Sequence, residues 1–160
     1  DAMLFGRGGE EVAYLQERGL SVEVVNGLTA GLVGATRAGI PLTHRDCTRG
    51  VTFVTAHAQD HSEPDWAALA ATGTTLVIYM GVSGAQYIQA ELLSGLSAHT
   101  PVAIIQRASL PDQRHAVTTL GQLRATIERE QLASPSVIVV GDVVSGVAAA
   151  SGAPAQFRAA

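Results

Sequence analysis

Three glycines, an arginine and two glutamates form the segment 6–11, GRGGEE, close to the start of the chain. Glycines at this density let the backbone turn tightly and approach a ligand without a Cβ in the way. The amides of a following helix would favour an anionic or polar ligand group, and the glutamates suit its first turn. The spacing matches neither a dinucleotide-binding fingerprint nor a P-loop. The segment is therefore equally compatible with a ligand site and with a simple loop before a helix.

Two predicted strand ends carry further candidate ligand-binding residues. Tyr79-Met80-Gly81 closes an apolar run, and open α/β sheets bind ligands at the carboxyl ends of their strands. Gly81 would let the backbone approach a ligand, and the thioether of Met80 can pack on a flat ring. A core methionine after a core strand explains Met80 equally well. Arg107 and Arg114 bracket a loop at another strand end, although solvated surface charge is the more common role of such a pair.

Other reactive side chains lack the partners that chemistry would need. His57 and His61 have the spacing of two metal ligands on one helical face, but they follow a predicted strand and no third ligand accompanies them. Cys47 lies near His44 without a group to orient a base. We therefore predict no metal site and no thiol nucleophile.

The elements that position these residues begin with an incomplete unit. The pattern predicts helix 10–18, strand 21–25 and helix 30–38, with Thr29 as the cap of the second helix and no strand in front of the first. The polar, proline-containing segment 40–49 marks a boundary. We assign residues 1–43 to the end of an N-terminal parallel α/β domain.

Strands and helices alternate from residue 51 onwards. The predicted strands are 51–55, 74–79, 102–106, 115–118 and 137–140, and helices follow capping patterns at 62–65, 83–86 and 119–122. The run 74–79 is apolar on both faces, which is typical of the centre of a parallel sheet. The loop after residue 106 is too short for a parallel crossover, so 115–118 should form a hairpin. The fold class is therefore α/β, with a complete C-terminal domain of mixed sheet over 44–145 and a flexible tail over 146–160.

Composition excludes several classes of protein. The chain has 160 residues, 47% of them hydrophobic, and a net charge of −4, which argues against binding nucleic acid or an anionic membrane. One cysteine, Cys47, allows no internal disulfide and fits a reducing compartment. No apolar run approaches the roughly 18 residues of a membrane span, and no signal peptide opens the chain. We expect a cytoplasmic protein and, because the first residue is not methionine, a piece of a longer chain.

Four segments in this order and spacing resemble the tetrapyrrole methylase family. They are DAMLFGRGGEE, VVNGLTAGLVGATRAGIPLTHRD, TLVIYMG and VVGDVV, and the resemblance covers residues 1–144. The family transfers methyl groups from S-adenosylmethionine to the carbon framework of a tetrapyrrole. The LTHR and GRGGEE segments are similar to the members that act on uroporphyrinogen III rather than to those that methylate precorrins.

The resemblance implies a cofactor site in a cleft between two α/β domains. The positions that contact S-adenosylmethionine in the family fall here on Asp1, Leu4, Thr29, Ala30, Met80 and Ala108. Asp1 ends the family's Gly-Gly-Asp loop. Ala108 and Ser109 replace a Gly-Thr pair, and the extra Cβ of Ala108 would crowd the adenine side. The family's catalytic aspartate corresponds to no residue of this chain, so no catalytic residue is assigned.

The function that the resemblance implies is C-methylation of uroporphyrinogen III towards precorrin-2, in siroheme or cobalamin biosynthesis, by a homodimer. Arginines suit the carboxylates of such a substrate, and Arg7, Arg37 and Arg45 are the candidates. We expect the 160 residues alone to be inactive. Two alternatives stay open: a non-catalytic adenosyl-binding or dimerisation module, and a methylase that acts on another tetrapyrrole or on a protein side chain.

Overall fold

The computed structural model describes residues 1–57 and 62–148. Its helices are α1 (Gly8–Gln16), α2 (Ala30–Arg37), α3 (Trp66–Ala70), α4 (Ala85–Leu92), α5 (Leu123–Arg129) and α6 (Val143–Ala148). Its strands are β1 (Val51–Thr55), β2 (Thr75–Tyr79), β3 (Pro101–Gln106), β4 (Arg114–Thr119) and β5 (Ser136–Val140). A short 3₁₀ turn, Leu120–Gln122, leads into α5.

The strands form one five-stranded mixed sheet in the order β1-β2-β5-β3-β4. β1 and β2 are parallel, and β5 runs antiparallel to both of its neighbours, β2 and β3. β3 and β4 form the predicted antiparallel hairpin. The α/β class, the mixed sheet and the hairpin are therefore confirmed. β2 is buried at every residue, as its pattern predicted, but only one of its two neighbours is parallel to it.

Helices cover both faces of the sheet because the strand residues alternate between two cores. Leu76 and Ile78 of β2 pack with residues of α3, α4 and α5 on one face. Val77 and Tyr79 pack with residues of α2 and α6 on the other. The result is a three-layer arrangement in which the carboxyl end of β2, at Tyr79, lies beside the start of α2.

The predicted strand over 21–25 is wrong. Residues 20–29 have no regular secondary structure, and the side chains of Val24 and Val25 are 43% and 79% exposed. β-branched side chains favour a strand only where a neighbouring strand pairs with it, and no described strand lies alongside this run. Similarly, α1 buries only Gly8. The N-terminal 43 residues therefore contribute two helices to the described structure.

The local signals at helix ends were only partly informative. Asp65, rather than Ser62, caps α3 by accepting a hydrogen bond of 2.9 Å from the amide of Ala68. Thr29 stands at the cap position of α2, but its hydroxyl makes no cap bond. α6 continues to Ala148, across the predicted start of the tail at 146, and residues 149–160 lie outside the described part of the chain. The domain boundary at 43/44 stays a prediction.

Candidate functional site

A cavity of about 520 Å³ opens at one end of the sheet, where several strands begin or end. The carboxyl ends of β1 and β2 and the amino end of β5 meet there, since Tyr79 pairs with both Thr55 and Val137, and Gln106 at the end of β3 pairs with Ser136. The lining residues are Ala30, His57, Tyr79, Met80, Ser83, Ile105, Arg107, Ala108, Leu110, Ser134, Pro135, Ser136 and Val137. The volume lies within the roughly 300–1,000 Å³ typical of ligand sites.

The backbone around this cavity is strained at three non-glycine residues. Met80, Arg107 and Ser109 have φ angles of 56°, 53° and 68°, and each left-handed residue of this kind costs about 1–3 kcal/mol. Met80 and Arg107 line the cavity, and Ser109 is next to the lining residue Ala108. Strain that collects at the ends of two strands around one cavity is typical of a functional site.

Tyr79 connects the end of β2 to the start of α2. Its phenol oxygen accepts a hydrogen bond of 2.7 Å from the amide of Gly31 and is hydrogen-bonded to the hydroxyl of Thr29. Its ring contacts that of Phe5, with 4.9 Å between the ring centroids. The side chain is only 9% exposed, so these bonds form in a largely dry environment where they fix the geometry firmly.

Glycines allow α2 to approach the sheet closely enough for these bonds. A Cβ on Gly31 would lie 2.6 Å from both the phenol oxygen of Tyr79 and a methyl of Val77, and one on Gly34 would lie 3.1 Å from the Cβ of Ala108. Side chains larger than hydrogen would push the helix away. The first residue of α2, Ala30, consequently forms one wall of the cavity.

Comparison with known proteins assigns this architecture to a family. The sequence profile of the tetrapyrrole (corrin/porphyrin) methylases matches residues 1–124. The chain belongs to the tetrapyrrole methylase family. Among curated relatives, the uroporphyrinogen-III C-methyltransferase of Pseudomonas fluorescens is 53% identical over 92% of this chain and 60% of its own length. The siroheme synthase of Azotobacter vinelandii is 48% identical over 90% of this chain and 32% of its own length.

Solved structures of the same family share the fold. The native uroporphyrin-III C-methyltransferase of Thermus thermophilus has a TM-score of 0.82 at 36% identity, over 98% of this chain and 66% of its own. The enzyme from that organism in complex with S-adenosyl homocysteine has a TM-score of 0.79 at 35% identity, over 91% and 64%. This tetrapyrrole methylase chain thus spans about 60% of the length of the curated methyltransferases that it matches.

Three of the six predicted cofactor positions line the cavity, namely Ala30, Met80 and Ala108. Met80 is 44% exposed, so it is not a core residue. Thr29 adjoins the cavity as a buried partner of Tyr79. The Cβ of Ala108 lies close to α2 at Gly34.

The other two predicted positions, Asp1 and Leu4, are not among the lining residues. The Asp1 carboxylate accepts hydrogen bonds from the amides of Met3 and Gly27, at 2.8 Å and 3.2 Å. Its backbone nitrogen donates to the carbonyl of Leu28 at 3.0 Å. Asp1 therefore supports the segment that leads into α2. Leu4, three residues later in the sequence, is half-buried.

The candidate arginines separate into two groups. Arg7, Arg37 and Arg45 are exposed and lie outside the cavity lining. Arg7 pairs with Glu10 at 2.6 Å, and the hydrogen bond and negative charge of Glu10 raise its pKa. Arg107 does line the cavity and donates to the carboxylate of Asp112 at 2.9 Å, whereas Arg114 donates to the carbonyl of Glu130.

The candidate glycines are closely packed by the chain itself. A Cβ on Gly81 would lie 3.0 Å from side-chain atoms of Ile78 and Ile88, so Gly81 packs tightly against the core. Cβ atoms on Gly6 and Gly8 would lie 2.6 Å and 2.7 Å from the carbonyl oxygen of Ala2. The glycine-rich segment thus folds around its own backbone.

No metal cluster occurs in the part of the chain that the structure describes, where no three His, Cys, Asp or Glu side chains come together. His57 lines the cavity, and its predicted neighbour His61 lies outside the described residues. Over the same ranges no helix combines the length and hydropathy needed to cross a bilayer.

Sequence reasoning missed the anchoring role of Tyr79 and the wall formed by Ile105 and Val137. Alternation along the strands was the available signal, because Tyr79, Ile105 and Val137 share one face of the sheet.

Proposed function

We propose that this chain forms the larger part of an S-adenosylmethionine-dependent methyltransferase that converts uroporphyrinogen III towards precorrin-2, for siroheme or cobalamin. The observation that supports this most strongly is the cavity of about 520 Å³ at this end of the sheet, which gathers Ala30, Met80 and Ala108. The resemblance to the family assigns these positions to the cofactor, and the P. fluorescens methyltransferase is 53% identical to the chain.

The cavity residues fit an adenosyl group. Met80 is 44% exposed, and a thioether packs well on an aromatic ring; its backbone is left-handed, with a φ of 56°. Ile105 and Val137 supply an apolar wall, and Ala30 lines the cavity with a small side chain. Ala108 also lines it, with one methyl group more than the glycine that the resemblance implies at this position. We assign Ala30, Met80 and Ala108 as cofactor contacts, with Thr29 as a support and Asp1 and Leu4 as contacts outside the lined cavity.

The bound cofactor supplies the methyl group, on a sulfonium that an electron-rich pyrrole carbon attacks. The chain's contribution is to hold the two reactants in line and to exclude water, which alone accounts for a large part of such a rate acceleration. Arg7, Arg37 and Arg45 are our candidates to bind the carboxylates of the substrate, because all three guanidinium groups are on the surface.

Cofactor binding is tested by calorimetry with S-adenosylhomocysteine. Met80→Ala should weaken binding about 4- to 15-fold, the equivalent of burying one or two methylenes at ~0.8 kcal/mol each, while the melting temperature changes little because Met80 is half-exposed. Met3→Ala, at a methionine 57% exposed and outside the cavity lining, is the control. Absence of any binding at millimolar ligand would contradict the proposal.

The chain spans 60% of the length of the P. fluorescens relative. We propose that residues 1–160 alone do not methylate uroporphyrinogen III and that a fusion with the remaining part of that relative does. Product analysis of both proteins against several tetrapyrroles tests the reaction and its substrate together. Turnover by the chain alone, or by the fusion only on another tetrapyrrole, would overturn this part.

We further propose a cytoplasmic homodimer. The compartment is supported by the single, unpaired Cys47. A dimer is supported by exposed apolar side chains between α1 and α2 and on α2 itself, a cluster typical of interaction surfaces: Leu20, Val24, Val25, Leu28 and Leu32. Light scattering should show that Val25→Asp lowers the molecular mass of the assembly in solution and that Val117→Asp, on the outer strand β4, does not. Equal masses for the unchanged chain and both variants would count against a dimer through this surface.

A further inference from the structure

We propose that Tyr79 is a positioning residue, which caps α2 from across the fold and thereby sets the distance between two walls of the cofactor cavity. The inference rests on the proposed function, because the ligand whose affinity it controls is the adenosyl cofactor. Tyr79 itself lies at the cavity, but its phenol is committed to the protein.

The first amides of a helix have no partners within it. A Thr at the cap position usually accepts a bond from one of them through its own hydroxyl. Thr29 occupies that position, with φ −88° and ψ 144°, yet makes no cap bond. Tyr79 performs this role instead: its phenol oxygen accepts from the amide of Gly31, 48 residues away in sequence, and bonds to the Thr29 hydroxyl.

These two bonds bracket the residue that lines the cavity. Thr29 and Gly31 are held to Tyr79, and Ala30 between them forms part of the wall. On the other side, Met80 directly follows Tyr79 and takes a left-handed φ of 56°. One phenol group therefore fixes the separation of Ala30 from Met80, two residues that belong to different elements.

The environment of this phenol favours a geometric role. Tyr79 is 9% exposed and Thr29 is 7% exposed, so loss of either hydroxyl leaves a buried polar group without its partner. The ring packs on Phe5 independently of the hydroxyl, at 4.9 Å between centroids. Tyr79→Phe thus removes the bonds and keeps the packing, and Thr29→Val removes only the matching hydroxyl.

The decisive experiment is a double-mutant cycle on the whole chain, read by S-adenosylhomocysteine calorimetry and by thermal melting. We expect Tyr79→Phe and Thr29→Val each to raise the dissociation constant about tenfold, as expected for a lost buried hydrogen bond. The double variant should bind no more than about twofold more weakly than either single one, because both changes break one network. Thr29→Ser, which keeps the hydroxyl, should bind like the unchanged chain.

Thr126→Val is the matched control. Thr126 is 1% exposed and donates to the Thr118 hydroxyl at 2.9 Å, in α5 and away from the cavity lining. This change should lower the melting temperature without altering the affinity. A Tyr79→Phe variant that binds like the unchanged chain overturns the inference, as do Tyr79→Phe and Thr29→Val effects that simply add.

Amide exchange at Gly31 gives a readout that does not depend on the ligand. In the unliganded chain, Tyr79→Phe should speed the exchange of this amide while the amides of α5 stay as protected as before. Unchanged exchange at Gly31 would overturn the capping role. Failure of the unchanged chain to bind the ligand would instead overturn the proposed function, so the two failures are distinguishable.

Discussion

Met80 combines an exposed side chain with a strained backbone, so one substitution should change the stability of the chain and its affinity for the ligand in opposite directions. Glycine adopts the φ of 56° found at Met80 without the ~1–2 kcal/mol steric cost of an L side chain. This gain in stability is partly offset because glycine increases the entropy of the unfolded chain. Met80→Gly should therefore raise stability by about 0.5–1 kcal/mol and weaken S-adenosylhomocysteine binding. Chemical denaturation and calorimetry measure the two effects.

Gln131 provides the control for this experiment. It is exposed, has a φ of 53° and lies outside the cavity lining, so Gln131→Gly should stabilise the chain to a similar extent with unchanged affinity. A Met80→Gly variant that loses stability would show that its side chain supports the fold rather than the ligand.

At the scale of single residues, the structure brings three of the six predicted cofactor positions together. Ala30, Met80 and Ala108 were predicted and do line one cavity. The bond of Tyr79 to Gly31 spans 48 residues, and no local pattern encodes it. The packing of Gly81 against Ile88 on α4 was missed for a similar reason, because only the folded structure brings the two together.

Among the elements, α2 packs close to the sheet because glycines stand at its contact points, Gly31 and Gly34. Gly31→Ala should destabilise the chain by about 1–3 kcal/mol, the usual cost of overpacking, because its Cβ would lie 2.6 Å from the buried Val77 and from Tyr79. Cofactor affinity should fall as well, since Ala30 moves with the helix. Urea denaturation and calorimetry measure these effects.

Gly9 on α1 offers the opposite environment, because a Cβ at this position would meet no atom within 4 Å beyond its chain neighbours and the backbone of its own helix. Gly9→Ala should leave affinity unchanged and increase stability by roughly 0.5–1 kcal/mol through helix propensity alone. If the two glycine substitutions had equal effects, close packing of α2 would not be the reason for the glycine at position 31.

Strands with a clear apolar pattern and a neighbouring strand could be predicted from the sequence. The segment without a neighbouring strand could not. The all-apolar run of β2 correctly predicted a strand buried on both faces, and the short loop before β4 correctly predicted the hairpin, but the antiparallel neighbour β5 was not predicted. The run 21–25 has the same β-branched composition but no strand beside it among the described residues. Propensity without pairing was insufficient, so the segment remained irregular.

At the scale of the whole molecule, the sheet depends on β5. It joins the pair β1-β2 to the pair β3-β4 and makes the ladders on both sides. A chain that ends at residue 134 should therefore lose cooperative unfolding, whereas one that ends at 148 should melt like the full chain. Circular dichroism during heating distinguishes them, and a cooperative transition in the shorter chain would show that the two strand pairs associate without β5.

The position of β5 has a consequence for synthesis on the ribosome. The strand at the centre of the sheet is the last of the described strands along the sequence, so β2 and β3 leave the ribosome long before the segment that pairs with them. Until residues 136–140 emerge, the apolar run of β2 exposes an unpaired edge, which is a template for association between nascent chains. Slow or stalled translation before this point should therefore increase aggregation and dependence on chaperones, and a circular permutant that places β5 earlier should reduce both.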